Sequence, residues 1–241
     1  MTAARELASR LSTVRKRVAA AAQRAGRKPE EIALIGVAKR KSAELTVTAV
    51  RAGLRDVGES YVQEAAAKIP LVSAELDRVG HEKPRWHFVG RLQRNKARDV
   101  ARLFDTVGSV DREPLGAELE RRAAQGERQL DLLLQVNLSG EPQKGGVDPS
   151  DLPALLRASA VWSRLRVVGL MTIPVATDDP ECSRPAFAKL RELRETLKGE
   201  PGAEHLSELS MGMTGDFEVA IEEGATIVRV GTAIFGPRSE S

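Results

Sequence analysis

Lys39 closes an apolar run over residues 32–38, and alternation along a strand puts Ala33, Ile35, Val37 and Lys39 on one face. A lysine amine held at the end of such a strand can attack a carbonyl and form a Schiff base. The competing reading is a solvated lysine in the basic run Lys39-Arg40-Lys41. Two Gly-bearing turns also follow β-forming runs: Leu209-Ser210-Met211-Gly212-Met213, and Arg229-Val230-Gly231-Thr232-Ala233-Ile234-Phe235-Gly236. Glycine admits close backbone approach, and successive N–H groups with Ser or Thr hydroxyls cradle a phosphate. Ser210, Met211, Gly212, Gly231 and Thr232 are therefore candidate phosphate-turn residues; the alternative is ordinary turn chemistry. Arg229 shares a strand face with Ile227. A buried cation needs a partner, either an interior acid such as Glu208 or a ligand.

Weaker candidates share the same end of the pattern. His87 lies near the end of one strand, facing either the ligand or a structural partner. Asn137 ends another and can bond a cofactor or its neighbours. Lys144, in the loop that follows, either relays an aldehyde or is simply solvated. The basic cluster Arg91, Arg94, Lys96 and Arg98 has no interleaved aromatics, so it reads as a solvated helix start rather than a nucleic-acid surface. Cys182 reads as an incidental thiol.

These residues need elements to hold them, and the chain alternates from end to end. Strands are expected over 32–38, 55–58, 85–90, 104–109, 130–137, 165–172, 205–211 and 226–230. Helices are expected over 42–52, 61–76, 93–103, 113–126, 151–158, 185–197 and 216–223, with Ser42 as an N-cap. Strict alternation implies parallel strands with right-handed crossovers. Eight repeats closing on themselves give an α/β fold, a single (β/α)8 TIM barrel; a doubly wound open sheet is the alternative. In a barrel, function gathers at the C-terminal ends of the strands, and phosphate sites follow strands seven and eight. The 241 residues suit one such domain over 1–241, with residues 1–29 as an extra N-terminal helix. That helix supplies the one missing after strand eight, packing through Leu7, Leu11, Val14 and Val18. Its surplus of Arg and Lys over the single acid Glu6 also suits a transit peptide, but the unbroken apolar stripe favours a packed helix.

Composition removes other classes. One Cys excludes a disulfide framework and a Cys-rich metal site, and the three His lack metal-ligand spacing. A net charge of +3 is too mild to imply nucleic-acid binding. No apolar run reaches the roughly 18 residues of a membrane span. With the lone Cys and no secretory segment, a cytoplasmic protein is expected.

A Schiff-base lysine, a phosphate cradle and an interior arginine match the needs of pyridoxal 5'-phosphate (PLP). The same lysine and phosphate cup would serve a sugar-phosphate aldolase or isomerase. The two readings differ in colour, since a lysine-bound PLP is yellow and an aldolase lysine is not.

The sequence resembles the YggS/PROSC family of PLP homeostasis proteins over essentially its whole length. The resemblance rests on Val37-Ala38-Lys39-Arg40-Lys41, Gly58-Glu59-Ser60-Tyr61-Val62-Gln63-Glu64, and His87-Phe88-Val89-Gly90-Arg91-Leu92-Gln93-Arg94-Asn95-Lys96, with both phosphate turns. It implies a fold type III barrel like the N-terminal domain of alanine racemase, with PLP held as an aldimine on Lys39. It also implies that Ser210 and the Gly231-Thr232 turn hold the phosphate and that Arg229 approaches the pyridine nitrogen, keeping it unprotonated. Two positions depart from the family pattern: Ser60 replaces a common Asn, and Ser42 stands where a Pro is usual. Racemases of this fold take a second acid/base Tyr from an additional domain, which is not expected in a chain of 241 residues. The only Tyr, Tyr61, is expected away from that position. A non-catalytic PLP carrier is therefore expected, monomeric, with PLP and apo PLP-dependent enzymes as partners. A weakly active PLP-dependent racemase or decarboxylase is the alternative.

Overall fold

The structure is a computed structural model that describes residues 3–141 and 145–237. In chain order, helix α1 (Ala3–Arg24) precedes β1 (Ala33–Val37), α2 (Ala43–Arg51), β2 (Asp56–Glu59), α3 (Val62–Arg78) and β3 (Arg85–Phe88). Next come α4 (Ala97–Leu103), β4 (Thr106–Val110), α5 (Glu113–Gln125), β5 (Leu130–Gln135), α6 (Leu152–Ser159) and β6 (Leu165–Met171). The chain continues through α7 (Arg184–Thr196), β7 (Glu208–Ser210), α8 (Phe217–Glu222), β8 (Ile227–Val230) and α9 (Thr232–Phe235).

All eight strands pair in parallel and in sequence order, and β1 pairs with β8 to close the barrel. Closure excludes the open sheet. The expected common face of Ala33, Ile35 and Val37 is the barrel interior, where Ile35 packs with Leu133, Met171 and Ile227. A larger apolar layer fills the space between strands and helices and takes in Val57, Phe88, Leu132 and Val228.

Helix α1 fills the gap in the helical ring. Leu7, Leu11, Val14 and Val18 are buried, each contributing roughly 1.5–3 kcal/mol of apolar burial. Its arginines reach both neighbours: Arg17 and Arg24 bind Glu218 and Glu222 on α8, and Arg15 donates to Gly53 O after α2. The surplus positive charge at the N-terminus is thus partly matched by acids on α8. Ser42 caps α2, accepting from Leu45 N at 3.2 Å.

The boundaries differ from expectation where tertiary contacts intervene. Strand β3 ends before Gly90, which is pressed so closely on Ser60 that a Cβ would lie 2.2 Å from the Ser60 carbonyl oxygen. Strand β7 is short because a turn, closed by Leu206 N–H on the Ala203 carbonyl at 3.0 Å, occupies the start of the expected run. The helix expected over 93–103 opens as a 3-10 turn at Arg94–Lys96. Helix α9, directly after β8, was not expected.

Candidate functional site

Strands β1 and β8 bring the candidate residues together. Ile35 is the register partner of Arg229 and Gly36 of Val230. A Cβ on Gly231 would lie 3.4 Å from the Val37 carbonyl oxygen, so the turn after β8 rests against the strand that leads to Lys39. Lys39 is half-buried and lines a cleft with Ser60, Tyr61, Gly90, Arg91 and Lys96. Among the described residues no carboxylate lies within ion-pair reach of its ammonium.

Arg229 is buried in the barrel, 6% exposed. It donates Nη1–H to Ser210 Oγ at 2.7 Å and Nη2–H to the Thr172 carbonyl at 2.9 Å. Glu208, the interior acid considered from sequence, instead accepts from Thr226 Oγ1 and Ser207 Oγ. Among the described residues Arg229 has no ion-pair partner. Burial pulls its guanidinium down to about 10, with Asp216 opposing, so it stays cationic at neutral pH. The bond from Arg229 also orients Ser210: with its oxygen accepting, the hydroxyl proton is left to donate elsewhere.

The remaining turn residues contribute backbone. The Met211 side chain packs in the layer behind the strands, and Met211 N–H donates to Ile227 O at 3.1 Å. Gly212 has φ 93°, and a Cβ there would lie 2.6 Å from that of Ala220. Its carbonyl accepts from Arg229 N–H at 2.9 Å, tying the β7 turn to β8. Gly231 is the N-cap of α9, and Thr232, its first residue, is exposed. The first N–H groups of a helix have no intrahelical acceptor.

For His87 and Asn137 the structure shows bonds to neighbouring residues, one of the two readings open from sequence. His87 is buried, but its Nε2 lies 2.7 Å from Oδ1 of Asp56, the residue that starts β2. Its polar contact thus points down the barrel rather than out of the mouth, and the ring walls a small cavity that Ser210 and Arg229 also line. Asn137 organises its own loop: Oδ1 accepts from Ser139 N–H and Oγ–H, and Nδ2 donates to Glu141 O. That bonding leaves its carboxamide engaged with neighbours. Tyr61 corrects an expectation. It lies in the same cleft as Lys39, with the Arg40 guanidinium 5.8 Å from its ring centre. Lys144 lies outside the described residues.

Sequence reasoning missed two features. Thr172, fully buried, supplies the second acceptor for Arg229. Lys68 forms a buried ion network, donating to Glu59 Oε1 at 2.5 Å, Glu64 Oε1 at 2.8 Å and the Ala38 carbonyl at 2.8 Å. A signal for it existed: Lys68 falls on the buried stripe of Ala65 and Val72 in α3, at i+3 and i+7.

Burial pushes the Glu59 carboxyl up to about 7, against the pull of Lys68, and its Oε2 is buried without a partner. A carboxyl raised above its ordinary 4.5 binds its proton more tightly in the folded chain than in the unfolded one. Its contribution to stability is therefore present at low pH and is lost as pH rises from 4.5 to about 7. The loss is on the order of 3 kcal/mol. Glu59→Gln keeps an acceptor for Lys68 but cannot ionise, so it is expected to flatten that part of the stability profile. Parallel melting profiles for the two proteins across this window would refute the assignment.

At the opposite end of the barrel, Asp131 binds both Arg85 and Arg166, at 3.0 and 2.7 Å. These strand-start charges satisfy one another, as expected of the stabilising face of such a barrel. Among the described residues no group of His, Cys, Asp and Glu is placed to hold a metal, and no helix is long and apolar enough to cross a membrane.

Comparison with known proteins agrees with this arrangement. The profile of the alanine racemase N-terminal domain family matches residues 9–239. A pyridoxal phosphate homeostasis protein of Aquifex aeolicus is 43% identical over 229 residues, covering 95% of this chain and 97% of its own. One from Escherichia coli K12 is 41% identical over 237 residues, covering 98% of both. The structure of PipY from Synechococcus elongatus, solved with PLP bound, superposes with a TM-score of 0.81 at 36% identity, covering 95% of this chain and 100% of that one.

Proposed function

The chain belongs to the alanine racemase N-terminal domain family and, within it, to the pyridoxal phosphate homeostasis proteins; from that premise we propose that it binds PLP and takes part in its homeostasis. The observation that carries this reading is the junction of β1 and β8, where a lysine and a buried arginine without a carboxylate partner serve one end of the barrel. The residues fit the group. A phosphate would answer the donors of the turns after β7 and β8, a pyridine nitrogen would answer Arg229, and an aldehyde would answer Lys39.

PLP supplies an aldehyde that an amine captures reversibly, and a phosphate that anchors it. Lys39 is the capturing amine. Ser210, oriented as a donor by Arg229, holds the phosphate with the Thr232 hydroxyl and backbone N–H groups of the Gly231-Thr232 turn. Met211 and Gly212 shape the turn, and their backbone bonds fix its distance from β8. Arg229, cationic throughout, faces the pyridine nitrogen and disfavours a proton there. Without that proton the ring draws electrons weakly, which suits keeping the cofactor rather than driving chemistry on an amino acid. His87 supports the floor beneath this group, and Asn137 acts through the loop after β5. The reading makes the protein a cytoplasmic, monomeric carrier whose partners are apo-enzymes that need PLP.

The test is the absorption spectrum of the protein mixed with PLP. A yellow band is expected, and borohydride is expected to bleach it and leave the cofactor fixed to the chain. Absence of both would overturn the proposal. One observation favours a second reading, a weak racemase or decarboxylase: Tyr61 lines the cleft with Lys39 and could serve as a second acid/base. Turnover of amino acids by the loaded protein, lost in Tyr61→Phe, would establish that reading instead.

A further inference from the structure

The turn that carries Lys39 is held from beneath by charge. The carbonyl of Ala38 accepts from Lys68 Nζ at 2.8 Å as well as from Lys41 N–H at 3.0 Å. On the other side, Arg40 N–H donates to Glu64 Oε1 at 2.6 Å, and the same oxygen accepts from Lys68 Nζ at 2.8 Å. One network therefore grips both peptide planes flanking the Lys39 Cα. Arg40 has φ 59°, a left-handed conformation that costs a non-glycine residue about 1 kcal/mol or more and persists only where its surroundings impose it. Lys68 is 5% exposed and Glu59 fully buried. A buried ion network is seldom more stabilising than apolar packing of the same volume, so stability alone is a weak reason for this one.

We propose that Lys68 and Glu64 are positioning residues for Lys39, fixing the turn so that its amine points at the aldehyde of a phosphate-anchored ligand. This rests on the proposed PLP site and assigns its geometry to residues outside the cleft. In the step they serve, Lys39 Nζ as neutral amine bonds to the aldehyde carbon. A C=N bond replaces C=O, and the oxygen leaves as water with both amine protons. Neither Lys68 nor Glu64 touches the ligand. Their removal should slow capture and leave anchoring alone, because loss of orientation costs rate even when binding persists.

The experiment compares wild type with Lys68→Met and Glu64→Ala, each checked for folding by circular dichroism. Two quantities are read: the rate of yellow-band formation after mixing with PLP, and the affinity for pyridoxine 5'-phosphate, which has the phosphate but no aldehyde. Capture is expected to slow about tenfold to a hundredfold while the analogue binds as it does to wild type. Glu64 is partly exposed and its loss leaves the Lys68–Glu59 pair intact, so this variant keeps the test open if Lys68→Met fails to fold. Unchanged capture in a folded variant overturns the positioning role, and so does an equal loss of capture and analogue binding. If wild type itself captures no PLP, it is the proposed function that fails.

Discussion

Replacing Lys39 by Ala is expected to remove the borohydride-fixed label from the peptide carrying residue 39 and to weaken PLP binding about a hundredfold. Phosphate anchor and lysine hold one small molecule at two points, so the second contact forms at high effective concentration and its loss is felt in full. The fold should survive. Lys39 is half-buried with no ion pair among the described residues, so its truncation is expected to cost within about 0.5 kcal/mol. Peptide mapping of the reduced wild-type protein makes the result decisive. A label on a different lysine in wild type would show that the turn after β1 holds the wrong residue.

The second large effect concerns the phosphate. Ser210→Ala with Thr232→Ala is expected to weaken PLP by roughly a hundredfold or more, since hydrogen bonds to a charged group contribute about 1.5–3 kcal/mol each. Pyridoxal, which lacks the phosphate, should bind the variant nearly as it binds wild type. The two replacements differ in their structural cost. Thr232 is exposed, whereas Ser210 Oγ accepts from the buried Arg229, so its loss strands part of a guanidinium at a cost of about 1–3 kcal/mol. The comparison of two ligands on one variant separates that cost from the phosphate contact. Equal loss for PLP and pyridoxal would place the phosphate elsewhere.

The barrel was legible because its cause is local. Alternating strand-like and helix-like runs are written into the order of residues, and the shared face of Ala33, Ile35 and Val37 follows from the period of a strand. Lys39, Ser210, Arg229 and the Gly231-Thr232 turn were legible for the same reason, since strand ends in a barrel converge on one face. What Arg229 binds was not. Glu208 and Ser210 stand two residues apart on one face of β7 and were equally available from sequence. Only the packed barrel decides that Ser210 and the Thr172 carbonyl meet the guanidinium while Glu208 meets Thr226. Asn137 and His87 show the same limit, because a polar residue at a strand end does not reveal which partner it reaches.

The Lys39 turn divides the two kinds of information most sharply. The sequence by itself determined that a lysine follows β1 and that two glycine turns follow β7 and β8. Tertiary structure alone decided how that lysine is held. Lys68 and Glu64 lie a helix, a strand and part of a second helix further along the chain, and they grip Ala38 and Arg40 only after α3 packs beside α2 and β2. Likewise Tyr61 enters the Lys39 cleft only through the path of the chain from β2 into α3. Period and order are properties of neighbours in the chain; which polar groups meet is fixed by burial, where each must find a partner among whatever the fold has brought near.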